Sequence, residues 1–90
     1  MSDGAEAVLR FSRRSQRDLR QRTPEQRQQI VDAIEGLKER PMHGDIKKLA
    51  GSPEEWRLRV GEYRVTFALD RQAGEIVILR VLPRGSAYRD

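Results

Sequence analysis

Residues 56–67 read WRLRVGEYRVTF. Two runs of alternating apolar and polar side chains flank Gly61-Glu62. A glycine at the first turn position supplies the positive φ that a type II′ hairpin requires. The register follows from the turn: Val60 faces Tyr63, Arg59 faces Arg64, Leu58 faces Val65, Arg57 faces Thr66 and Trp56 faces Phe67. Successive strand residues point to opposite sides, so Trp56, Leu58, Val60, Tyr63, Val65 and Phe67 share one face, which must be the core face. Arg57, Arg59 and Arg64 share the other. Two guanidinium groups set directly opposite one another repel by roughly a few tenths of a kcal/mol when solvated. They either splay into water along their aliphatic stems or close on an anion.

The elements around this hairpin are legible to different degrees. "AVLRF" at 7–11 predicts a short strand. Ser12 is placed to cap a helix through "RRSQRDLRQR", whose one strongly apolar residue, Leu19, predicts a mostly solvated or partner-facing element. "TPEQ" at 23–26 is a second start, with Thr23 as N-cap, Pro24 at the first helical position and Gln26 closing a capping box. Ile30, Ala33, Ile34 and Leu37 recur three and four apart on one face of this helix, and Pro41 is expected to stop it. Residues 42–55, "MHGDIKKLAGSPEE", read as a turn-rich connector broken by Gly44, Gly51 and Pro53. A last strand spans about 75–82, apolar on both faces as a central strand is, with Val77, Leu79 and Val81 alternating against Ile76, Ile78, Arg80 and Leu82. Pro83 ends it. The expected fold is α+β in the order βααβββ: two helices on one face of a mostly antiparallel four-stranded sheet, forming a single domain over residues 1–90.

Ninety residues leave room for one core and no second catalytic lobe. The absence of cysteine excludes a disulfide framework and a thiolate metal site. One histidine and scattered carboxylates suggest no metal cluster, and no cofactor motif is present. No apolar run approaches the roughly 20 residues of a membrane helix, and "MSDGAEAVLRF" does not read as a signal peptide. The expectation is a cytoplasmic protein. A net charge of +4 favours a polyanionic or acidic partner; alternatively it reflects a composition rich in arginine, which supplies all basic residues but Lys38, Lys47 and Lys48. Arg84 leaves the last strand on a short loop with Tyr88 four residues on. Guanidinium forks for phosphate and a ring for stacking a base suit single-stranded nucleic acid.

"IKKLAGSPEEWRLRVGEYRVTFALD" followed by "VILRVLPRGSAYR" resembles the RelE/ParE superfamily of type II toxins, over essentially the whole chain. The resemblance implies a toxin neutralised by an antitoxin, here expected to be acidic because the toxin is basic. RelE-like members cleave mRNA in the ribosomal A site, and ParE-like members poison DNA gyrase. By position, Arg57 and Arg59 match a basic pair usually written with lysines, and Arg64 matches the arginine of the "G-x-Y-R" step. Arg84 matches the basic residue after the last strand, and Tyr88 the aromatic that stacks on the mRNA base. Retention of the whole set favours the ribonuclease branch, whose partners would be mRNA and the 70S ribosome with its 16S rRNA; the alternative partner is DNA gyrase. A third possibility is a weakened member acting by binding alone.

The implied reaction is attack of an RNA 2′-hydroxyl on the adjacent phosphate without a metal. Arg57 and Arg64 would clamp the phosphate, Arg84 would serve the leaving group, and Tyr88 would stack. An arginine, with a pKa of roughly 12.5 or above, does not serve as a general base, so Arg59 cannot take the role open to a lysine. His43, Glu54, Glu55 and Tyr88 are the candidates, with His43 read as an ordinary loop residue. Arg13, Arg14, Arg17 and Arg20 give the first helix a cationic surface that either grips rRNA or is simply solvated.

Overall fold

The computed structural model describes residues 7–39, 41–51 and 54–85. Its elements are β1 (Val8–Phe11), α1 (Arg13–Arg20), α2 (Pro24–Glu35), a 3-10 turn (Gly36–Lys38), β2 (Asp45–Lys48), β3 (Glu55–Val60), β4 (Tyr63–Asp70) and β5 (Glu75–Pro83). They form one sheet in the order β1-β5-β4-β3-β2. Every neighbouring pair is antiparallel except β1 and β5, which run parallel. The α+β class and the two helices on one face are as expected, but the sheet has five strands rather than four.

The additional strand, β2, lies inside the presumed connector. Ile46 alone among its residues is apolar and inward, opposite Leu58, so no alternating run announced it. Gly44 leads into it at φ +125°, where a Cβ would lie 2.6 Å from Leu58 Cδ1. A side chain there would meet both a forbidden backbone region and the core.

Both helix starts form as their sequences dictate. The Ser15 N–H donates to Ser12 Oγ at 3.0 Å. In the capping box, Gln26 N–H donates to Thr23 Oγ1 at 3.2 Å and Thr23 N–H donates to Gln26 Oε1 at 3.1 Å. Pro41 is not what ends α2. The α-helix stops at Glu35 and tightens into the 3-10 turn, where Gly36 O accepts the N–H groups of Glu39 and His43. That tightening still brings Leu37 into the core, 1% exposed.

The β3–β4 hairpin has the expected register throughout, and Gly61 turns it at φ +55°. Ile30 and Ile34 of α2, Leu19 of α1, and Leu58, Val60, Val65, Phe67, Ile76, Ile78 and Val81 of the sheet form the core. Each such side chain contributes about 1.5–3 kcal/mol on burial. Trp56 and Tyr63 are only half-buried at its margin. Trp56 carries the Lys48 ammonium 5.8 Å from its ring centroid, and Tyr63 carries the Arg22 guanidinium at 5.3 Å.

Strict alternation fails in β5. Opposite β4, Thr66 pairs with Arg80 but Phe67 pairs with Ile78, leaving Leu79 as an extra residue. Ile76, Ile78 and Val81 therefore enter the core, and Leu79 does not share a face with Val81 as the sequence suggested. The bulge falls where β1 ends. Beyond Phe11, Ser12 N–H donates to Ile78 O at 2.9 Å and Ser12 Oγ donates to Leu79 O at 2.8 Å. The residue that starts α1 thus satisfies the carbonyls of the bulged strand.

A cationic sheet face as candidate nucleic-acid interface

The face away from the helices is built row by row from strand register. One row runs Asp45, Arg59, Arg64, Leu82, and the next runs Lys47, Arg57, Thr66, Arg80. The hairpin therefore brings Arg57, Arg59 and Arg64 onto one surface, as expected, with Arg59 directly opposite Arg64. Lys47 and Arg80 join them and were missed. Lys47 was hidden by the unrecognised β2; Arg80 was visible only as one polar residue in an apolar strand.

Asp45 was missed as well, and it changes the electrostatics. Its Oδ1 lies 3.7 Å from Arg57 Nη2, and it faces Arg59 across the ladder. The like-charged Arg59–Arg64 pair therefore has a carboxylate alongside it and does not depend solely on an external anion. The Arg57 side chain is only 12% exposed, and its Nε is buried with no hydrogen-bond partner. An N–H left in that state costs about 1–3 kcal/mol.

Between this face and the β2–β3 loop lies a groove of about 360 Å³, lined by Glu55, Arg64, Thr66, Leu79, Arg80 and Leu82 with Leu49 and Ala50. Arg84 is exposed just beyond β5. Its N–H donates to Glu62 O at 2.8 Å, which ties it to the hairpin turn at the same end of the sheet as Arg64. Tyr88 lies outside the described residues. Of the candidate bases, Glu55 lines the groove. Glu54 is exposed. His43 is fastened to Gly36 after α2, on the helix side of the sheet.

Arg80 is held from behind. Its Nε donates to Asp18 Oδ2 at 2.9 Å and its Nη2 to Oδ1 at 3.2 Å, while Val81 N–H donates to Oδ2 at 2.8 Å. Asp18 projects from α1, 7% exposed, so this carboxylate docks α1 on the β5 edge that β1 leaves unpaired. Burial pushes the Asp18 carboxyl up. The hydrogen bonds from Arg80 and Val81 and the charges of Arg80 and Arg22 outweigh that push and hold it below its ordinary 3.8. A depressed carboxylate stabilises the fold fully above the unfolded value, and the contribution is lost as pH falls through the lower folded one. Asp18→Asn should therefore cost on the order of 2 kcal/mol near neutrality. The gap from the parent should close in strong acid, as measured by denaturant titration at both pH values.

An α+β domain of this topology with a basic, grooved outer face has the architecture of the RelE-type toxins. The chain superposes on the RelBE2 toxin–antitoxin complex of Mycobacterium tuberculosis with a TM-score of 0.76 and 28% identity, covering 89% of this chain and 100% of that one. The archaeal RelE–RelB complex of Pyrococcus horikoshii shares the fold at a TM-score of 0.76, with 22% identity over 90% of this chain and 98% of that one. Among curated proteins, RelE1 of Methanocaldococcus jannaschii, provisionally named a toxin, is 32% identical over 85 residues, 91% of this chain and 94% of that protein. Residues 6–88 match the family described as the ParE toxin of the type II toxin–antitoxin system parDE. The chain belongs to the RelE/ParE superfamily of type II toxins.

Proposed function

We propose that this toxin is a ribosome-dependent endoribonuclease that cuts mRNA in the A site. The reading rests on the convergence of Arg57, Arg59, Arg64 and Arg80 on one sheet face that the core does not need, with Arg64 and Arg80 lining its groove. In the reaction the 2′-oxygen attacks the neighbouring phosphorus and the P–O5′ bond breaks, leaving a 2′,3′-cyclic phosphate and a 5′-hydroxyl. Preorganised guanidinium groups oppose the negative charge that builds on the phosphorane. Arg57 and Arg64 hold the phosphate, and Arg84 stabilises the departing 5′-oxygen. Glu55, the candidate base that lines the groove, accepts the 2′-hydroxyl proton, and water returns a proton to the 5′-oxygen. Tyr88 stacks on the exposed base. The guanidinium set supplies the charge stabilisation without a metal. Relatives of this fold crystallise as toxin–antitoxin complexes, and an acidic antitoxin segment covering this face would silence it.

The test adds purified protein to a cell-free translation reaction and maps mRNA ends by primer extension. Ribosome-free RNA and a gyrase supercoiling assay run alongside. Breaks within A-site codons, absent from free RNA and lost in Arg84→Ala, are expected. Intact mRNA with blocked supercoiling would transfer the protein to the gyrase branch.

A further inference from the structure

The bulge in β5 decides where Arg80 points. Ile78 faces the core opposite Phe67, so an unbroken strand would carry Leu79 outward and Arg80 inward. The extra residue reverses this. Arg80 comes onto the outer face opposite Thr66, and Val81 returns to the core. Bulges beside functional sites re-aim single side chains, and the side chain re-aimed here lines the groove. Asp18 then fixes it. The carboxylate grips the guanidinium along its Nε–Nη2 edge at 2.9 and 3.2 Å and takes the Val81 N–H at 2.8 Å. Ser12, which starts the same helix, holds the carbonyl of Leu79. Both chain neighbours of Arg80 are thus tied to α1, and its plane is set before any ligand arrives. A staple between helix and sheet has no need of a place in the groove wall.

The rows of the sheet give the substrate a direction. Moving away from the hairpin turn come Arg84, tied to Glu62, then Arg59 with Arg64, then Arg57 with Arg80, and last Glu55. In the proposed reaction the departing 5′-oxygen lies at Arg84 and the attacking 2′-oxygen at Glu55. The nucleotide that carries the 2′-hydroxyl therefore lies on the Glu55 side of Arg64. Arg80 is the diagonal neighbour of Arg64 on that side, about 7–8 Å away. One nucleotide of extended RNA bridges such a step. We infer that Arg80, positioned by Asp18, holds the phosphate immediately 5′ of the one that is cut. With a phosphate held at each end, the ribose between them is fixed, which keeps its 2′-oxygen in line for attack. The inference deepens the nuclease reading and rests on its placement of Arg84 and Glu55, but the order of the two phosphates is read by binding alone.

The test uses the full chain and 2′-O-methyl trinucleotides, which carry two phosphates and cannot be cut. Fluorescence anisotropy compares the all-phosphate trimer with trimers bearing a neutral methylphosphonate at the 5′ or the 3′ linkage. Each neutralised linkage should weaken binding to the parent about 10-fold. In Arg80→Gln the 5′ penalty should vanish and the 3′ penalty persist; in Arg64→Ala the pattern should reverse. Asp18→Asn should lose most of the 5′ penalty although Arg80 is present, whereas a role confined to stability would leave both penalties in place. Circular dichroism confirms folding. The double variant D18N/R80Q, which leaves no buried charge unpaired, serves if Arg80→Gln misfolds and should show the same loss. A 5′ penalty that survives in these variants overturns the inference, as does a dependence of the 3′ penalty on Arg80 or an absence of trimer binding by the parent. The expected pattern in a chain that cuts no mRNA by primer extension would uphold the phosphate order and remove the nuclease reading alone.

Discussion

Arg64→Ala should abolish growth arrest on overexpression and slow mRNA cleavage by about 10²–10³-fold, the usual effect of removing one preorganised donor from a developing anion. Arg64 lines the groove beside Thr66 and Arg80 and stands opposite Arg59 on the outer face, outside the core cluster. The thermal transition should accordingly move little, as for surface substitutions generally. Arg64→Lys should recover only part of the activity, because an ammonium keeps the charge but not the two-pronged geometry. Growth curves paired with primer extension read both effects. A folded Arg64→Ala protein that arrests growth as strongly as the parent would show that the groove is not the effector site.

Phe67→Ala should unfold much of the population. Phe67 is fully buried, paired with Trp56 on one side and Ile78 on the other. Truncating a buried phenylalanine costs about 3–5 kcal/mol, against a total stability of about 5–15 kcal/mol for a domain. Trp56→Ala, despite the larger side chain lost, should cost less, since Trp56 is half-exposed and capped by Lys48. Urea titrations of the two variants decide the order. A larger loss for Trp56 would mean that the sheet margin, not its centre, limits stability.

The hairpin was legible because a positive-φ glycine between two alternating runs determines turn, register and faces together. That placed Arg57, Arg59 and Arg64 correctly. β2 was not legible: with one inward apolar residue, Ile46, and breakers on both flanks, it becomes a strand only because β3 offers an edge. The bulge at Leu79 was likewise invisible, since its cause is the carbonyl pairing by Ser12, 67 residues away in the chain. Trp56 was overestimated as a core residue because alternation gives the side of the sheet and not the depth. For Asp18 and Arg80, nothing local marks a partly buried pair separated by 62 residues. Their partnership arises from packing, and so does the extra groove cation it positions.

The position of β5 has a consequence for how the protein comes into being. The last strand among the described residues is an interior strand of the sheet, with β1 parallel on one side and β4 antiparallel on the other. A nascent chain that lacks it has a hairpin and two helices but no surface on which β1 or Asp18 can settle. The closing of a long loop must precede those contacts. A chain that stops short of residue 75 therefore lacks the strand that joins β1 to the rest of the sheet. The sheet is completed only when residues 75–83 enter between β1 and β4, so the end of synthesis precedes the finished fold.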